Sequence, residues 1–153
     1  GTSTVFVYYT ISSVMGGKSE AESEADVVIT AASGPGFFGY SLAVGDMNGD
    51  GIDDIAIGAP DLDDPISAAF EYYSFLENDS PDDNGMVYLY SGSNLSATMS
   101  EADADSTIYS EDTDYFGISL IAADMNGDSI DDLWVGAPYY GGDEGRASLY
   151  LMP

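Results

Sequence analysis

Two acidic segments of this chain carry oxygen side chains at matched spacing. They read DMNGDGIDD over residues 46–54 and DMNGDSIDD over residues 124–132, with Asp or Asn at positions 1, 3, 5 and 9 of each. Calcium takes about six to eight oxygen ligands, and such loops often add the backbone carbonyl of position 7. Glycine at position 4 allows the tight turns that let alternate side chains converge on one point. The pattern therefore predicts one calcium site in each segment.

Each predicted site combines four side chains with one backbone carbonyl. The first set is Asp46, Asn48, Asp50, Ile52 (carbonyl) and Asp54, and the second is Asp124, Asn126, Asp128, Ile130 (carbonyl) and Asp132. The alternative interpretation is an acidic hairpin turn, because Asn-Gly and Asp-Gly are common turn signals. Two copies with identical ligand positions favour the metal site, and several adjacent carboxylates without a cation would repel one another.

EF-hand loops are excluded by the residue at position 12 and by the flanking sequence. An EF-hand needs a bidentate Glu at position 12 and helices on both sides. Position 12 holds Ile57 in the first segment and Val135 in the second, and the flanks have the pattern of strands.

The charge of the chain limits its partners. There are 28 acidic residues against two basic ones, and the net charge is −26. Such a surface repels nucleic acid and anionic lipid. The chain contains no Cys and no His, so the available metal ligands are oxygens. No apolar run approaches the roughly 18 residues of a membrane span.

Catalysis is disfavoured by the same inventory. Without His there is no Ser-His triad, and no GxSxG segment is present. Paired carboxylates could run glycoside hydrolysis, but the conspicuous ones belong to the predicted calcium loops. We therefore predict that the chain is not an enzyme.

The acidic segments lie inside a longer internal repeat. Residues 37–60 match residues 115–138 at a constant offset of 78 residues. Each copy has the pattern of a strand, a loop and a second strand. The first strands (39–45 and 117–123) have apolar residues on both faces, which predicts burial between two layers. Further strands are predicted at 5–10, 27–30, 86–90, 107–110 and 147–151, because these runs are rich in Tyr and β-branched residues.

A long connection separates the first copy from its following strand. It covers residues 61–84, and helical spacing of apolar residues predicts a short helix over 64–77. This insertion is either a solvated surface element or a contact element for a partner.

The repeat resembles the FG-GAP repeat of integrin alpha subunits and of many bacterial and archaeal surface proteins. The resemblance is carried by Phe38-Gly39 with Gly58-Ala59-Pro60, by Phe116-Gly117 with Gly136-Ala137-Pro138, and by both acidic loops. It implies an all-β fold of two β-propeller-type antiparallel blades plus an extra N-terminal strand, with calcium in a loop between two strands. Ser129 stands where the family usually has Gly, so we expect strain in the second loop.

The resemblance suggests a division of the chain into three parts. Residues 1–26 form an N-terminal strand and acidic linker, 27–91 the first repeat with its insertion at 61–84, and 92–153 the second repeat. Propellers typically have about four to eight blades, so two blades leave open faces. The strand at 5–10 resembles those at 86–90 and 147–151 and is surplus to two blades. Either it is a simple edge strand, or it pairs with the open edge of another copy.

These expectations define a calcium-binding structural or adhesion protein of the cell exterior or cell surface. We expect it to act through protein contacts and to self-associate head-to-tail through its terminal strands, as a filament or a ring. The alternative is a fragment of a larger integrin-like propeller that binds a protein ligand. An accessory domain of a secreted enzyme is the less favoured third interpretation.

Overall fold

The computed structural model describes residues 2–8, 24–32, 36–60, 85–110, 114–142 and 144–153. The insertion at 61–84, with its predicted helix over 64–77, lies outside the described residues, as do residues 9 and 10 of the predicted first strand. The described strands are β1 (Ser3–Val7), β2 (Val27–Ala31), β3 (Ser41–Gly45), β4 (Asp54–Ala59), β5 (Met86–Tyr90), β6 (Thr98–Ser100), β7 (Ser106–Tyr109), β8 (Ser119–Ala123), β9 (Asp132–Ala137) and β10 (Arg146–Tyr150).

The helices of the described residues are single 3₁₀ turns. They cover Gly92–Asn94, Glu101–Asp103 and Tyr140–Gly142. None of the helices seen in these ranges has the length and apolar character needed to cross a membrane.

The strands form three sheets. The first sheet has the order β1-β2-β6, the second β3-β4-β5-β7 and the third β10-β9-β8. Neighbouring strands are antiparallel except β2 and β6, which pair in parallel. The prediction of an all-β fold built from antiparallel blades is thereby confirmed. Sequence reasoning did not predict β6, which is three residues long and mostly polar.

The internal repeat is preserved in the pairing of the strands. Ala43 on β3 lies opposite Ala56 on β4, and the residues 78 positions later, Ile121 and Trp134, lie opposite each other on β8 and β9. Strand β10 pairs with β9 as β5 pairs with β4. The second and third sheets are therefore copies of one unit, and β7 extends the second sheet.

Two apolar cores separate the three sheets. The first core joins Val5, Val27 and Ile29 of the first sheet to residues of β4 and β5. The second core joins Ala43, Ala56 and Val87 of the second sheet to the face of the third sheet; its members there are Phe116, Leu120, Leu133, Val135 and Ala137. The three sheets consequently stack face to face, and β4 is buried at every position.

The prediction that the first strand of each repeat is buried on both faces is wrong. On β8, Ile121 is 62% exposed. Leu42 and Val44 are 51% and 58% exposed, whereas Leu120, the equivalent of Leu42, is 9% exposed. The first sheet packs on β4 and β5, and its core does not include residues of β3. The face of β3 that carries Leu42 and Val44 thus has no covering sheet among the described residues. The opposite face, which carries Ala43, is covered by the third sheet.

One cation is built into the fold beside the third sheet. Arg146, at the start of β10, places Nη2 2.8 Å from Oδ2 of Asp114, a residue whose side chain is 1% exposed. The same Asp114 oxygen accepts from the Ser110 hydroxyl, and Oδ1 accepts from the Phe116 N–H. The guanidinium also lies 4.1 Å from the centre of the Tyr140 ring. This pair ties β10 to the segment that precedes β8.

Replacing Arg146 by Met should destabilise the fold by about 3 kcal/mol, because the substitution leaves a buried carboxylate without its cation. Chemical denaturation followed by circular dichroism measures the loss. The double variant Asp114→Asn, Arg146→Met should recover part of it, since the uncompensated charge is then gone. Equal losses in the single and double variants would show that packing of the Arg146 stem, rather than charge pairing, is responsible.

Candidate metal centres

The first acidic loop connects β3 to β4 and wraps around the carboxylate of Asp46. Oδ1 accepts from the N–H groups of Gly49 (2.8 Å) and Asp50 (3.1 Å), and Oδ2 accepts from the N–H of Gly51 (2.9 Å). Two further turns follow, because Asn48 Oδ1 accepts from the Asp50 N–H and Asp50 Oδ1 from the Ile52 N–H. Side-chain oxygens thereby satisfy backbone donors that have no strand partner.

Asp54 closes the first loop at the start of β4. It is 4% exposed. Oδ2 accepts from the Met47 N–H at 3.0 Å, while Oδ1 accepts from the Asn48 amide and from the Gly92 N–H. A buried carboxylate without such donors would be strongly disfavoured. Asp54 therefore fixes both ends of the loop and ties it to the turn that follows β5.

The second loop connects β8 to β9 in nearly the same way. Asp124 accepts from the N–H groups of Gly127 (2.7 Å) and Ser129 (3.0 Å). These backbone hydrogen bonds lower the pKa of the Asp124 carboxyl from its ordinary value, so the charged form is favoured. Asp132 is fully buried and accepts from the N–H groups of Met125 and Met152.

The loops differ in the direction of one amide. Asn126 donates to the Asp128 carboxylate at 2.8 Å, whereas Asn48 donates to Asp54 and to the Ser91 hydroxyl. Otherwise the predicted ligands hold equivalent places, since Asn126 Oδ1 accepts from the Asp128 N–H and Asp128 Oδ1 from the Ile130 N–H.

The donor set of each loop suits a hard cation, which prefers carboxylate, amide and carbonyl oxygens. The carboxylates of a loop are turned toward backbone N–H groups, and within the described ranges no three acidic side chains are grouped closely enough to hold a metal ion. Each carboxylate oxygen has acceptor capacity beyond these hydrogen bonds. Binding would therefore require the carboxylates of one loop to draw together without losing the turns that position them.

The predicted strain in the second loop has a specific location. Ser129 has φ 73°, in the left-handed region, and its equivalent Gly51 has φ 83°. Side chains with a Cβ pay about 1–2 kcal/mol in that region. The second loop holds the same backbone as the first with a residue less suited to it.

Replacing Ser129 by Gly should stabilise the protein by about 1 kcal/mol, because relief of the left-handed strain outweighs the conformational freedom that glycine adds to the unfolded chain. The mirror substitution, Gly51→Ser, should destabilise it by a similar amount. Denaturant midpoints of both variants measure the effect under one buffer condition. A Ser129→Gly protein less stable than the parent would show that the Ser129 side chain contributes a contact that outweighs the strain.

Sequence reasoning passed over position 8 of the loops. It is Asp53 in the first loop and Asp131 in the second. Asp53 is exposed, but Asp131 contacts the neighbouring loop. The available signal was an acidic residue at the same non-ligand position of both copies.

The second and third sheets, each with an acidic loop between its first two strands, define blade-like repeats of a β-propeller. The sequence model of the FG-GAP repeat matches residues 38–90 and 116–150. These matches cover more than half of the chain, and the chain belongs to the FG-GAP repeat family.

Similar proteins include integrins and a phospholipase. Integrin alpha-PS2 of Drosophila melanogaster is 38% identical over 121 residues, covering 76% of this chain and 8% of the relative. Integrin alpha-V of Gallus gallus is 32% identical over 111 residues, with 72% and 8% covered. Phosphatidylinositol-glycan-specific phospholipase D of Bos taurus is 35% identical over 121 residues, with 78% and 12% covered. The chain thus spans about a tenth of the length of these relatives.

Proposed function

We propose that this chain is a calcium-stabilised segment of an extracellular, integrin-like β-propeller that acts through protein contacts rather than catalysis. The observation that carries the proposal is the duplicated loop: two stacked sheets hold the same acidic sequence between equivalent strands, with nearly the same hydrogen bonds around Asp46 and Asp124. Integrin names among the relatives support the adhesive role and the extracellular location.

Calcium would act on this chain chiefly as a folding ligand. Each loop gathers three predicted carboxylate ligands in a chain of net charge −26. Mutual repulsion of these carboxylates opposes the folded state when no cation is bound. A ligand that binds the folded loops and not the unfolded chain adds its binding free energy to stability.

Calcium should raise the melting temperature by about 5–10 °C per occupied site when its concentration is about 100-fold above Kd, because such binding adds about 2.7 kcal/mol per site. Magnesium should give a much smaller rise, since it demands a compact octahedral set and retains water. Differential scanning calorimetry with calcium, magnesium or chelator measures both shifts.

Matched variants separate the loops from general charge effects. The double variant Asp46→Asn, Asp124→Asn should lose most of the calcium response. Glu144→Gln, which neutralises an exposed carboxylate outside the loops, should retain it. Equal stabilisation by the two ions, or an undiminished response in the double variant, would contradict a role for the loops as calcium sites.

The third sheet presents an apolar face that supports the protein-contact part of the proposal. Ile121 is 62% exposed, Met125 53% and Leu149 38%. A shallow hollow of about 320 Å³ lies on this face beside Trp134 and Ala147. The equivalent residues of the second sheet, such as Ala43 and Met47, are buried under the third sheet. By this internal comparison, we infer that a further blade-like sheet covers Ile121 and Met125.

Self-association is the second candidate, favoured by the complementary exposure of β3 and β8. Leu42 and Val44 of β3 are exposed, while their equivalents on β8, Leu120 and Ala122, belong to the second core. In this arrangement, a second copy brings its β3 face to the open side of β8.

Strand β1 limits how such copies could join. It pairs along its whole length with β2 and buries Val5 in the first core. Strand β1 pairs with β2 as β5 pairs with β7. Strand β10 is the equivalent of β5 in the second repeat. In a head-to-tail contact, β10 of one copy and β1 of the next would therefore compete for the same position beside β2. Head-to-tail association therefore implies exchange of a terminal strand.

Replacing Ile121 by Lys should abolish calcium-dependent particles if copies join through the open face, because a charge would be buried in the contact. Sedimentation velocity and light scattering, with calcium and with chelator, measure particle size. Glu144→Lys is the control, since Glu144 is exposed in the turn before β10 and lies on neither β3 nor β8. Deleting residues 1–12 tests strand exchange, although it also removes Val5 from the core.

Each result decides between the two candidates. Large, chelator-sensitive particles that Ile121→Lys and the deletion abolish would support self-association. A calcium-bound monomer at every concentration would rule it out and leave the segment of a larger propeller.

A further inference from the structure

The two acidic loops are joined directly by hydrogen bonds. The Asp131 N–H donates to the Asp46 carbonyl at 2.8 Å. In return, the Asp46 N–H donates to Oδ2 of Asp131 at 3.1 Å. Position 8 of the second loop thus holds position 1 of the first loop from both its backbone and its side chain.

Close packing reinforces this contact. A Cβ on Gly45, the residue before Asp46, would displace the Asp131 carboxylate from its place beside the first loop. A Cβ on Gly49 would lie 3.1 Å from Cδ1 of Ile130, which leaves little room between the loops. The two loops therefore touch through side chains as well as through the two hydrogen bonds.

We propose that Asp131 is a positioning residue that couples the two loops, so that calcium in either loop raises the affinity of the other. The inference rests on the proposed function, since it requires both loops to bind calcium. Asp131 lies between two predicted ligands of the second site, the Ile130 carbonyl and the Asp132 carboxylate, and it fixes the backbone of Asp46, the first ligand of the other site. Calcium that orders residues 130–132 therefore also orders Asp46.

The coupling operates through the ordering of the loops. The first calcium restricts the motion of both loops, so the second calcium meets a loop that is already ordered and loses less conformational entropy on binding. Repulsion between two bound cations works against this gain, and the Asp131 carboxylate at the contact between the loops offsets part of that repulsion. Coupling between sites typically amounts to about 5–150-fold in affinity and is the same in both directions.

The repeat supplies a matched control. Asp53 is the equivalent of Asp131 in the first loop, and it is exposed; within the described ranges its carboxylate has no hydrogen-bond partner. Neutralising Asp53 removes the same charge at the same loop position without touching the contact between the loops.

A double-mutant cycle with calcium as the ligand tests the proposal. Asp124→Ala disables the second loop, and isothermal titration then reports the affinity of the first. In the parent sequence this variant should weaken the first loop about fivefold or more. In an Asp131→Ala background most of this loss should disappear, because only the backbone hydrogen bond from residue 131 to Asp46 remains. In an Asp53→Ala background the full loss should remain. Asp131→Asn keeps an acceptor oxygen and should retain part of the coupling. It replaces Asp131→Ala in the cycle if Asp131→Ala does not fold.

The outcomes separate this inference from the function on which it rests. If the parent protein binds no calcium, the proposed function fails and the coupling fails with it. If it binds two calcium ions and Asp124→Ala weakens the first loop equally with and without Asp131, the loops do bind calcium but Asp131 does not couple them. Loss of the effect with Asp53→Ala as well as with Asp131→Ala would assign it to charge and would also overturn the proposal.

Discussion

The fold depends on one requirement: a sheet with apolar side chains on both faces needs a neighbour on each side. The second sheet meets it, because the first core covers Ile55 and Ile57 of β4 while the second core covers Ala56. Stacking of the sheets in turn brings the two acidic loops to one edge, where Asp131 contacts Asp46. The two loops are therefore neighbours because the apolar faces of their sheets pack together.

Repulsion among the acidic residues opposes this packing, and the carboxylates of the loops show how the fold limits that repulsion. Asp54 at the start of β4 and Asp132 at the start of β9 are buried. Each accepts hydrogen bonds from backbone N–H groups that would otherwise lack a partner. Asp114 is matched to Arg146, one of two basic residues in the chain. The buried carboxylates are thus satisfied locally, while the exposed loop carboxylates remain the place where added cations would relieve repulsion.

The sequence was sufficient for features set by local pattern. Repetition of residues 37–60 and 115–138 predicted the paired strands and placed the loops between them, and hydrogen bonds around Asp46 and Asp124 follow the spacing of Asp, Asn and Gly. Features set by contact between distant segments were not predictable. The alternation of residues in β3 predicted two buried faces. It carries no information on how far the first sheet extends, and that sheet covers β4 and β5 but not Leu42 of β3. The parallel pairing of β6 with β2, and the contact of Asp131 with Asp46, join segments about 70 and 85 residues apart and leave no periodic signal.

The side chains of the open face bear on what covers it. The second sheet meets the third with small residues, Ala43 and Ala56, which admit Phe116 and Leu120. On the third sheet the same positions hold Ile121 and Trp134, both larger, while Ala147 replaces the larger Val87 and leaves the hollow. A second copy would bring Leu42 and Val44, the equivalents of Leu120 and Ala122 of the internal contact, against Ile121 and Trp134. Inserting that much extra volume into an otherwise equivalent contact is unfavourable. The face therefore fits a sheet that places small side chains over β8 and β9 and a larger side chain over Ala147. This favours a neighbouring blade of different sequence over an identical copy.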